Sequence, residues 1–518
     1  MTAVDVLIVG AGPTGLVLAV ALTRLGIKIR IVDKQKTTAE TSRAIVIHSR
    51  TLEFYQLLGL LDDILPRGHR LEVLNLRTEG AQSVRIPFRD VGAGLTRYPF
   101  VFIQPQSIHE PILEAKLNSL GVFVERSVEF LDHIDHGTHI TARIRPVDQD
   151  DSIETVGQEE NGETVETAFL VGCDGAHSTV RHGVHVDFMG SPYRQTFFVA
   201  DLIGSGPPVD GEGHFNFGGG EDTIMVVSYE QYPGGTHVHV LGAVENMSPH
   251  AQFDDVRPIL EKEVKLTTHE VKWFTTYRVH HRVAERFRKG RVFIAGDAAH
   301  ILSPLDGQGM NTGISDSVNL SWKLASVVKG KADDFLLDSY EKERKQFAEN
   351  LLDTSDHIFT VVMDKGFVRT TVHEVLFNLM QPSGSYSALP SFFFRTLSQT
   401  GRNYYDSPLS QAEGPGEIKP GDRLPYCKED ATDNYISLDA LQWRIHIYGT
   451  PTEELKAWCQ EKKVRLDNFP FNEDMEKKCI VQDDIYLIRP DSFIAAVFEQ
   501  SRIDLLNGYF TARHIQLS

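Results

Sequence analysis

Four short runs of glycine and aspartate carry most of the chemistry open to this sequence. Gly10-Ala11-Gly12-Pro13-Thr14-Gly15 follows the apolar run VDVLIV and leads into LVLAVALTRLG; a second apolar run, IKIRIVD, then ends on Asp33. In that order Gly10 permits a tight turn, Gly12 lets the backbone approach a pyrophosphate, and Gly15 lets a helix lie close on a strand. Amides at the helix start face the phosphates, and Asp33 can accept from a ribose hydroxyl. Gly296-Asp297 ends the apolar run RVFIA, where Asp297 can accept from a ribityl hydroxyl. Gly307 and Gly309, in PLDGQGMN, leave amides at a helix start for an electron-rich ring edge. Asp174-Gly175 ends the run FLVGC. Glycine and aspartate are common at any strand-to-turn junction, so the weight lies on the order of the runs rather than on any one of them.

The elements that must position these residues are legible in the pattern. Strand, G-x-G-x-x-G, helix, strand and acid in sequence predict a Rossmann-like dinucleotide site. No second such fingerprint stands in a strand–turn–helix setting, since Gly92-Ala93-Gly94 and Gly204-Ser205-Gly206 lack apolar flanks. Alternating stretches such as TIMVVSY and HVHVLGAV predict half-buried strands in 71–100 and 188–280. Proline, glycine and serine crowd between about 381 and 425, which marks a linker. After it, RIHIYG, TEELKAWCQEKK and IYLIRPDSFIAAVF predict a small α/β domain.

Composition narrows the class. The 518 residues carry a formal net charge of −19, which argues against a nucleic-acid binder. Four Cys without a C-x-x-C pair exclude a zinc ribbon and a disulfide framework, and His237, His239, His280 and His281 lack the spacing of a metal site. The apolar stretch 6–25 is interrupted by Gly10, Gly12, Pro13 and Gly15, so a membrane span is not expected. A soluble cytoplasmic protein is the expectation.

Taken together, GAGPTG, SRAIVIHSRTLE, QPQSIHEPIL, CDGAHSTVR and GDAAHILSPLDGQGMN resemble the class A flavoprotein monooxygenases, the FAD-dependent aromatic hydroxylases that include phenol hydroxylase and p-hydroxybenzoate hydroxylase. The resemblance covers about the first 355 residues and is closest to phenol hydroxylase and the polyketide-type aromatic hydroxylases. It implies an α/β fold: a Rossmann-like FAD-binding domain (1–70, 101–187 and 281–355) interleaved with a substrate-binding β-sheet domain (71–100 and 188–280). A helical segment and linker (356–420) and a thioredoxin-like α/β domain without C-x-x-C (421–518) would follow. It also implies FAD held by Gly10, Gly12, Gly15, Asp33, Arg43, Gln106, Gly296 and Asp297. Gly307, Gln308, Gly309, Met310 and Asn311 would lie along the isoalloxazine, and Asp174 in a segment shared by FAD and NAD(P)H. NADPH or NADH would be the reductant, a flavin C4a-hydroperoxide would carry the oxygen, and a homodimer is expected.

Tyr277, in TTYRVHHRV, matches the tyrosine that phenol hydroxylase-type enzymes place near the substrate hydroxyl, or else packs in a sheet. Ile45 stands where phenol hydroxylase has an aspartate, which argues against simple phenol as substrate. Further substrate candidates are His48, Arg194, His214, Asn216 and Tyr229; His214 and Asn216 share one strand face. Asp306 departs from the small residue usual in its turn and either borders the flavin or caps the next helix. The reading is hydroxylation of a phenolic or other electron-rich ring. Alternatives are epoxidation, Baeyer–Villiger or decarboxylative oxygenation on the same scaffold, and a non-catalytic flavin-binding protein.

Overall fold

The structure is a computed structural model that describes residues 2–42, 44–78, 81–147, 162–192, 195–217, 222–232, 235–245, 247–278, 280–302, 307–363, 394–410, 416–429 and 432–517. Arg43, Arg194, Asp306 and the greater part of the segment 356–420 lie outside them.

The first apolar run forms the strand Thr2–Val9, central in an eight-stranded sheet. Its neighbours are Ile29–Asp33 on one side and Glu163–Gly172 on the other, with Val292–Ile294 beyond, all parallel. Their carboxyl-terminal parts, such as VLIV at 6–9 and FLV at 169–171, are continuous apolar runs because they are buried on both faces. Pro13–Arg24 packs on Gln308–Val328 and Gln106–Ser119, and its residues from Gly15 to Leu22 are all buried.

A seven-stranded sheet takes its strands from both alternating segments, in the order Thr267–Tyr277, Thr196–Ser205, Gly235–Val244, Thr223–Tyr232, Gly213–Phe217, Val73–Thr78 and Ala81–Pro87. Its outer face (Phe198, Ala200, Ile224, Val226, Val238, Val240) packs with Phe253, Val256 and Leu260 of the segment from Phe253–Ile259 into Leu260–Val264. Its inner face meets the first unit, where Val227 and Tyr229 pack with Ile45, Leu71, Phe88 and Ile103. Two three-stranded sheets zip the chain crossings between the units: Val46–Ile47, Val101–Ile103 and His69–Leu71 in one, and Phe188–Pro192, His280–Ala284 and His300–Ile301 in the other.

The carboxyl-terminal region builds a four-stranded mixed sheet in the order Arg465–Phe469, Arg444–Tyr448, Ile485–Ile488 and Ile494–Phe498. Glu453–Lys462 and Asp504–Ala512 supply Leu455, Trp458 and Leu506 to its core. The whole is a mixed α/β fold. Among the described residues, no helix is long and apolar enough to cross a membrane.

Candidate functional site

Four of the motifs sit at the carboxyl ends of four adjacent parallel strands. Gly10 follows Val9, Asp174 follows the Gly172 strand end, Gly296 follows Ile294, and Asp33 closes the strand beside Val9; Val9 pairs with both Gly172 and Val32, and Gly172 with Ile294. Ligands of open parallel sheets bind in the crevice at that edge. Gly10 has φ +100°, and a Cβ there would lie 2.3 Å from the Cys173 carbonyl oxygen. A Cβ on Gly15 would lie 1.9 Å from the Gly10 carbonyl oxygen, so only glycine lets the helix begin where it does.

The helices meeting there are open at their starts. Neither Pro13–Arg24 nor Gln308–Val328 has a side-chain cap at its amino end. A Cβ on Gly12 would find nothing nearer than Glu110 Oε1 at 4.0 Å, and one on Gly309 nothing within 4 Å. Uncapped amides facing open space suit the diphosphate and ring edge of a dinucleotide such as FAD. These residues fit the cofactor.

The acids are placed by backbone bonds. Asp33 Oδ2 accepts from the Ala11 amide at 2.5 Å and Oδ1 from that of Gln35 at 2.7 Å. Asp174 accepts from Ser178 Oγ at 2.6 Å and the Val180 amide at 3.1 Å, and burial pushes its pKa up. Asp297 is exposed on the Gly296–Ala298 turn. Gln106 Nε2 donates to Glu110 Oε1 at 2.7 Å, while Glu110 Oε2 accepts from the Ala39 amide at 2.7 Å. Burial raises the Glu110 carboxyl.

Asn311 makes four bonds to protein. Its Oδ1 accepts from the His48 amide at 2.9 Å and Thr51 Oγ1 at 2.7 Å, and its Nδ2 donates to the Val46 and Gly307 carbonyls at 2.8 and 2.7 Å. This amide therefore ties the Gly307 turn to the strand Val46–Ile47 and the helix Ser49–Leu57, which begins after His48. Gln308 is buried and donates to the Leu397 carbonyl at 3.0 Å; Met310 is half-buried.

Several residues that hold the site were given no role by the sequence pattern. Arg181 donates to the Ala298 carbonyl at 3.0 Å and to that of Ala176 at 2.9 Å, lying over the Phe188 ring at 4.0 Å. It thereby joins the Asp174 segment to the Gly296 turn. Asp316, wholly buried, accepts from the Gly296 amide at 2.9 Å, His300 Nε2 at 2.7 Å and Arg344 Nε at 2.7 Å. Burial opposes its ionisation, but His300 and Arg344 hold its pKa below the ordinary range. Glu110 is legible afterwards as the i+4 partner of Gln106 on one helix.

The sheet register separates the substrate candidates. Tyr277 pairs with Phe197, whose ring it stacks on at 6.1 Å between centroids, and both belong to the inner face with Val199, Leu241 and Met225. Tyr229 shares that face and stacks on His237. His214 pairs with Val226 and Asn216 with Ile224, which places both on the outer face, away from the first unit. His214 Nε2 is 2.8 Å from Asp210 Oδ1, and burial lowers its pKa. As candidates to touch substrate beside Tyr277, His214 and Asn216 are therefore corrected: strand alternation sends them to the opposite side. Phe215, between them, points inward opposite Met225, and both are half-buried.

Residues 3–355 match the family model described as an FAD binding domain. A curated relative, 6-methylpretetramide 4-monooxygenase of Streptomyces rimosus, is 30% identical over 99% of this chain and 94% of its own length. Among solved structures, the anhydrotetracycline hydroxylase OxyS from Streptomyces rimosus is 25% identical, covers 100% of both chains and has a TM-score of 0.76. The flavin-dependent monooxygenase PieE, solved with FAD and substrate, has a TM-score of 0.79 at 20% identity over 99% of each chain. With the strand-end motifs, the uncapped helix starts and a family model spanning most of its length, the chain belongs to the class A FAD-dependent monooxygenases, the aromatic hydroxylases.

Proposed function

We propose that the protein hydroxylates a neutral, polycyclic phenolic substrate lying against the inner face of the seven-stranded sheet. The observation that carries this reading is the character of that face beside Tyr277. Phe197, Val199, Phe215, Met225, Leu241 and Trp273 are apolar, and Phe215, Met225 and Trp273 remain half-buried, while the polar residues of the same face include Thr275 and the Asp201–His239 pair, 2.6 Å apart. Such a wall binds flat apolar rings through buried area. A benzoate-type acid would need a cation to meet its carboxylate; the apolar positions supply none, and His239 on the same face is already 2.6 Å from Asp201. The named relative acting on 6-methylpretetramide supports a substrate of this kind.

Gly10, Gly12 and Gly15 would hold the FAD diphosphate, Asp33 the adenosine ribose, and Asp297 the ribityl chain. Gly307 to Asn311, with Gln106, would border the ring. Arg43 and Arg194 keep their assigned roles as expectations outside the described residues. Bound FAD supplies what no side chain can, reduction by NAD(P)H and activation of O2, so that one oxygen atom enters the ring and the other leaves as water. Tyr277 orients the substrate hydroxyl and holds its proton, favouring the phenolate-like electron density that makes the ring carbon nucleophilic. Tyr229 closes the other end of the pocket, with the helix start at His48 on the flavin side, and the apolar wall excludes water.

The carboxyl-terminal sheet, one parallel pair followed by two antiparallel pairings, supports a thioredoxin-like reading. Cys427 and Cys459 are buried there with thiols pushed up to about 12 by burial, and Cys479 is not adjacent to either in sequence. High thiol pKa values are the reverse of what disulfide exchange needs, so the domain serves packing.

The test is NAD(P)H consumption by the purified flavoprotein in air with polycyclic phenols, simple phenols and benzoates, coupled to mass analysis for one added oxygen. Stimulation and product with polycyclic phenols alone is expected. Product only from benzoates would overturn the reading of the pocket.

A further inference from the structure

We propose that Arg489 and Asp491, on a loop of the carboxyl-terminal domain, are positioning residues of the flavin site, holding the Gly296–Ala298 turn in place through Glu343, Arg344 and Asp316. The inference rests on the assignment of that turn, with Asp297, to the FAD site.

The contacts form one buried chain. Arg489 is wholly buried, and its guanidinium forks onto Glu343 (Nη1–Oε1 2.7 Å, Nη2–Oε2 2.9 Å) and Asp491 (Nη2–Oδ2 2.7 Å, Nε–Oδ1 3.0 Å). Glu343 also accepts from Lys323 Nζ and Asn319 Nδ2, each at 2.7 Å, and Asp491 from Trp322 Nε1 at 3.2 Å. Asn319, Trp322 and Lys323 belong to Gln308–Val328, the helix whose first turn borders the flavin site; Glu343 and Arg344 belong to Phe335–Met363. From Arg344 the chain runs to Asp316, and from Asp316 Oδ2 to the Gly296 amide. Tyr404 joins the two halves: its hydroxyl accepts from Arg344 Nη1 at 2.9 Å, and its ring lies 5.2 Å from the Arg489 guanidinium.

Charge here is an expensive way to obtain stability. Apolar side chains of similar volume would stabilise such an interface as well or better, so buried ion networks are best explained by the arrangement they single out. Apolar helix faces tolerate sliding; bidentate arginine–carboxylate forks do not. Pinning Asn319, Trp322 and Lys323 fixes the axial position of their helix, and hence where the Gly307 turn stands relative to Gly296. The carboxyl-terminal domain thus sets the cofactor cradle from behind, without touching the cofactor.

The test uses full-length apo-protein and titrates FAD by flavin fluorescence quenching, well below each variant's melting temperature, with the visible spectrum of bound flavin as a second readout. Arg489→Ala is expected to raise the FAD Kd about 10-fold, with Arg489→Lys between it and wild type. Asp491→Asn, which keeps volume and decides the matter if Arg489→Ala does not fold, is expected to raise it about 3-fold. Leu455→Ala, in the domain's apolar core, should lower the melting temperature and leave Kd unchanged. Asp297→Ala should weaken FAD on its own. Wild-type affinity in Asp491→Asn and folded Arg489→Ala, with Asp297→Ala weakened, overturns the relay alone. An equal loss in Leu455→Ala reduces it to general stability and also overturns it. Unchanged affinity in Asp297→Ala removes the turn from the flavin site, and the proposal with it.

Discussion

Two buried surfaces flank the proposed reaction space, and they are built on opposite principles. Behind the helix Gln308–Val328, Glu343, Arg489, Asp491 and Lys323 are sealed from solvent and matched by direct ion pairs. On the substrate side, the inner face of the sheet offers aromatic rings and Met225, several only half-buried. Directional bonds between fixed charges define one geometry. Apolar area accepts any ring of suitable shape. The difference teaches that the cofactor side is specified and the substrate side selects by fit, as expected of a scaffold on which one flavin chemistry serves many aromatic substrates.

The comparison breaks most sharply at Glu343. Glu343→Ala leaves Arg489 and Lys323 buried without their carboxylate and should cost about 3–5 kcal/mol of stability, read by urea unfolding. A loss below about 1 kcal/mol would place that surface among ordinary exposed pairs. The same residue gives a pH signature. Burial alone would raise the Glu343 pKa, but Arg489 and Lys323 hold it well below its ordinary 4.5. The unfolded chain therefore takes up this proton first as pH falls, and its contribution is present above about 4.5 and lost progressively below. Melting temperatures of Glu343→Gln should show a shallower acid limb than wild type.

Tyr277→Phe comes next, with oxygen transfer slowed about 10²-fold and FAD affinity unchanged; equal product formation would return Tyr277 to packing against Phe197. On the apolar wall, Met225→Ala should lower kcat/KM about 10-fold, chiefly through KM, because it removes uniform binding area. A fall in kcat alone would mean that this face orients the substrate rather than merely holding it. The smallest effect belongs to His214→Gln on the outer face: about 1 kcal/mol of stability with the bond to Asp210, and unchanged kcat/KM. A large loss of activity there would contradict the sidedness read from the register.

The strand-end motifs were legible because backbone geometry admits few residues at those points. Gly10 and Gly15 leave no room for a Cβ, and that exclusion is written directly in the sequence. His214 and Asn216 show where reading stops. Alternation puts them together on one face of a strand, the face shared with Val226 and Ile224, but which face of the sheet meets the first unit follows from Val227 and Tyr229 packing on Ile45, Leu71 and Ile103, far away in the chain. Arg181 stands in the CDGAHSTVR run but its role did not show there, and Asp316 and Glu343 left no signal, because each acts through a partner that only folding brings close: Ala298, Gly296 and Arg489.

By itself, then, the sequence determined a dinucleotide fingerprint and the order of the units, because local sterics and period-2 or helical patterning are properties of neighbouring residues; FAD and the class of chemistry came with the family resemblance of its motifs. Only the tertiary structure decided which face of the sheet Tyr277 shares with the apolar residues, and that the carboxyl-terminal loop bonds to the helix Gln308–Val328. Both depend on contacts between segments more than a hundred residues apart, such as Val227 with Ile45 and Arg489 with Glu343, and those contacts exist only once burial has brought the segments together.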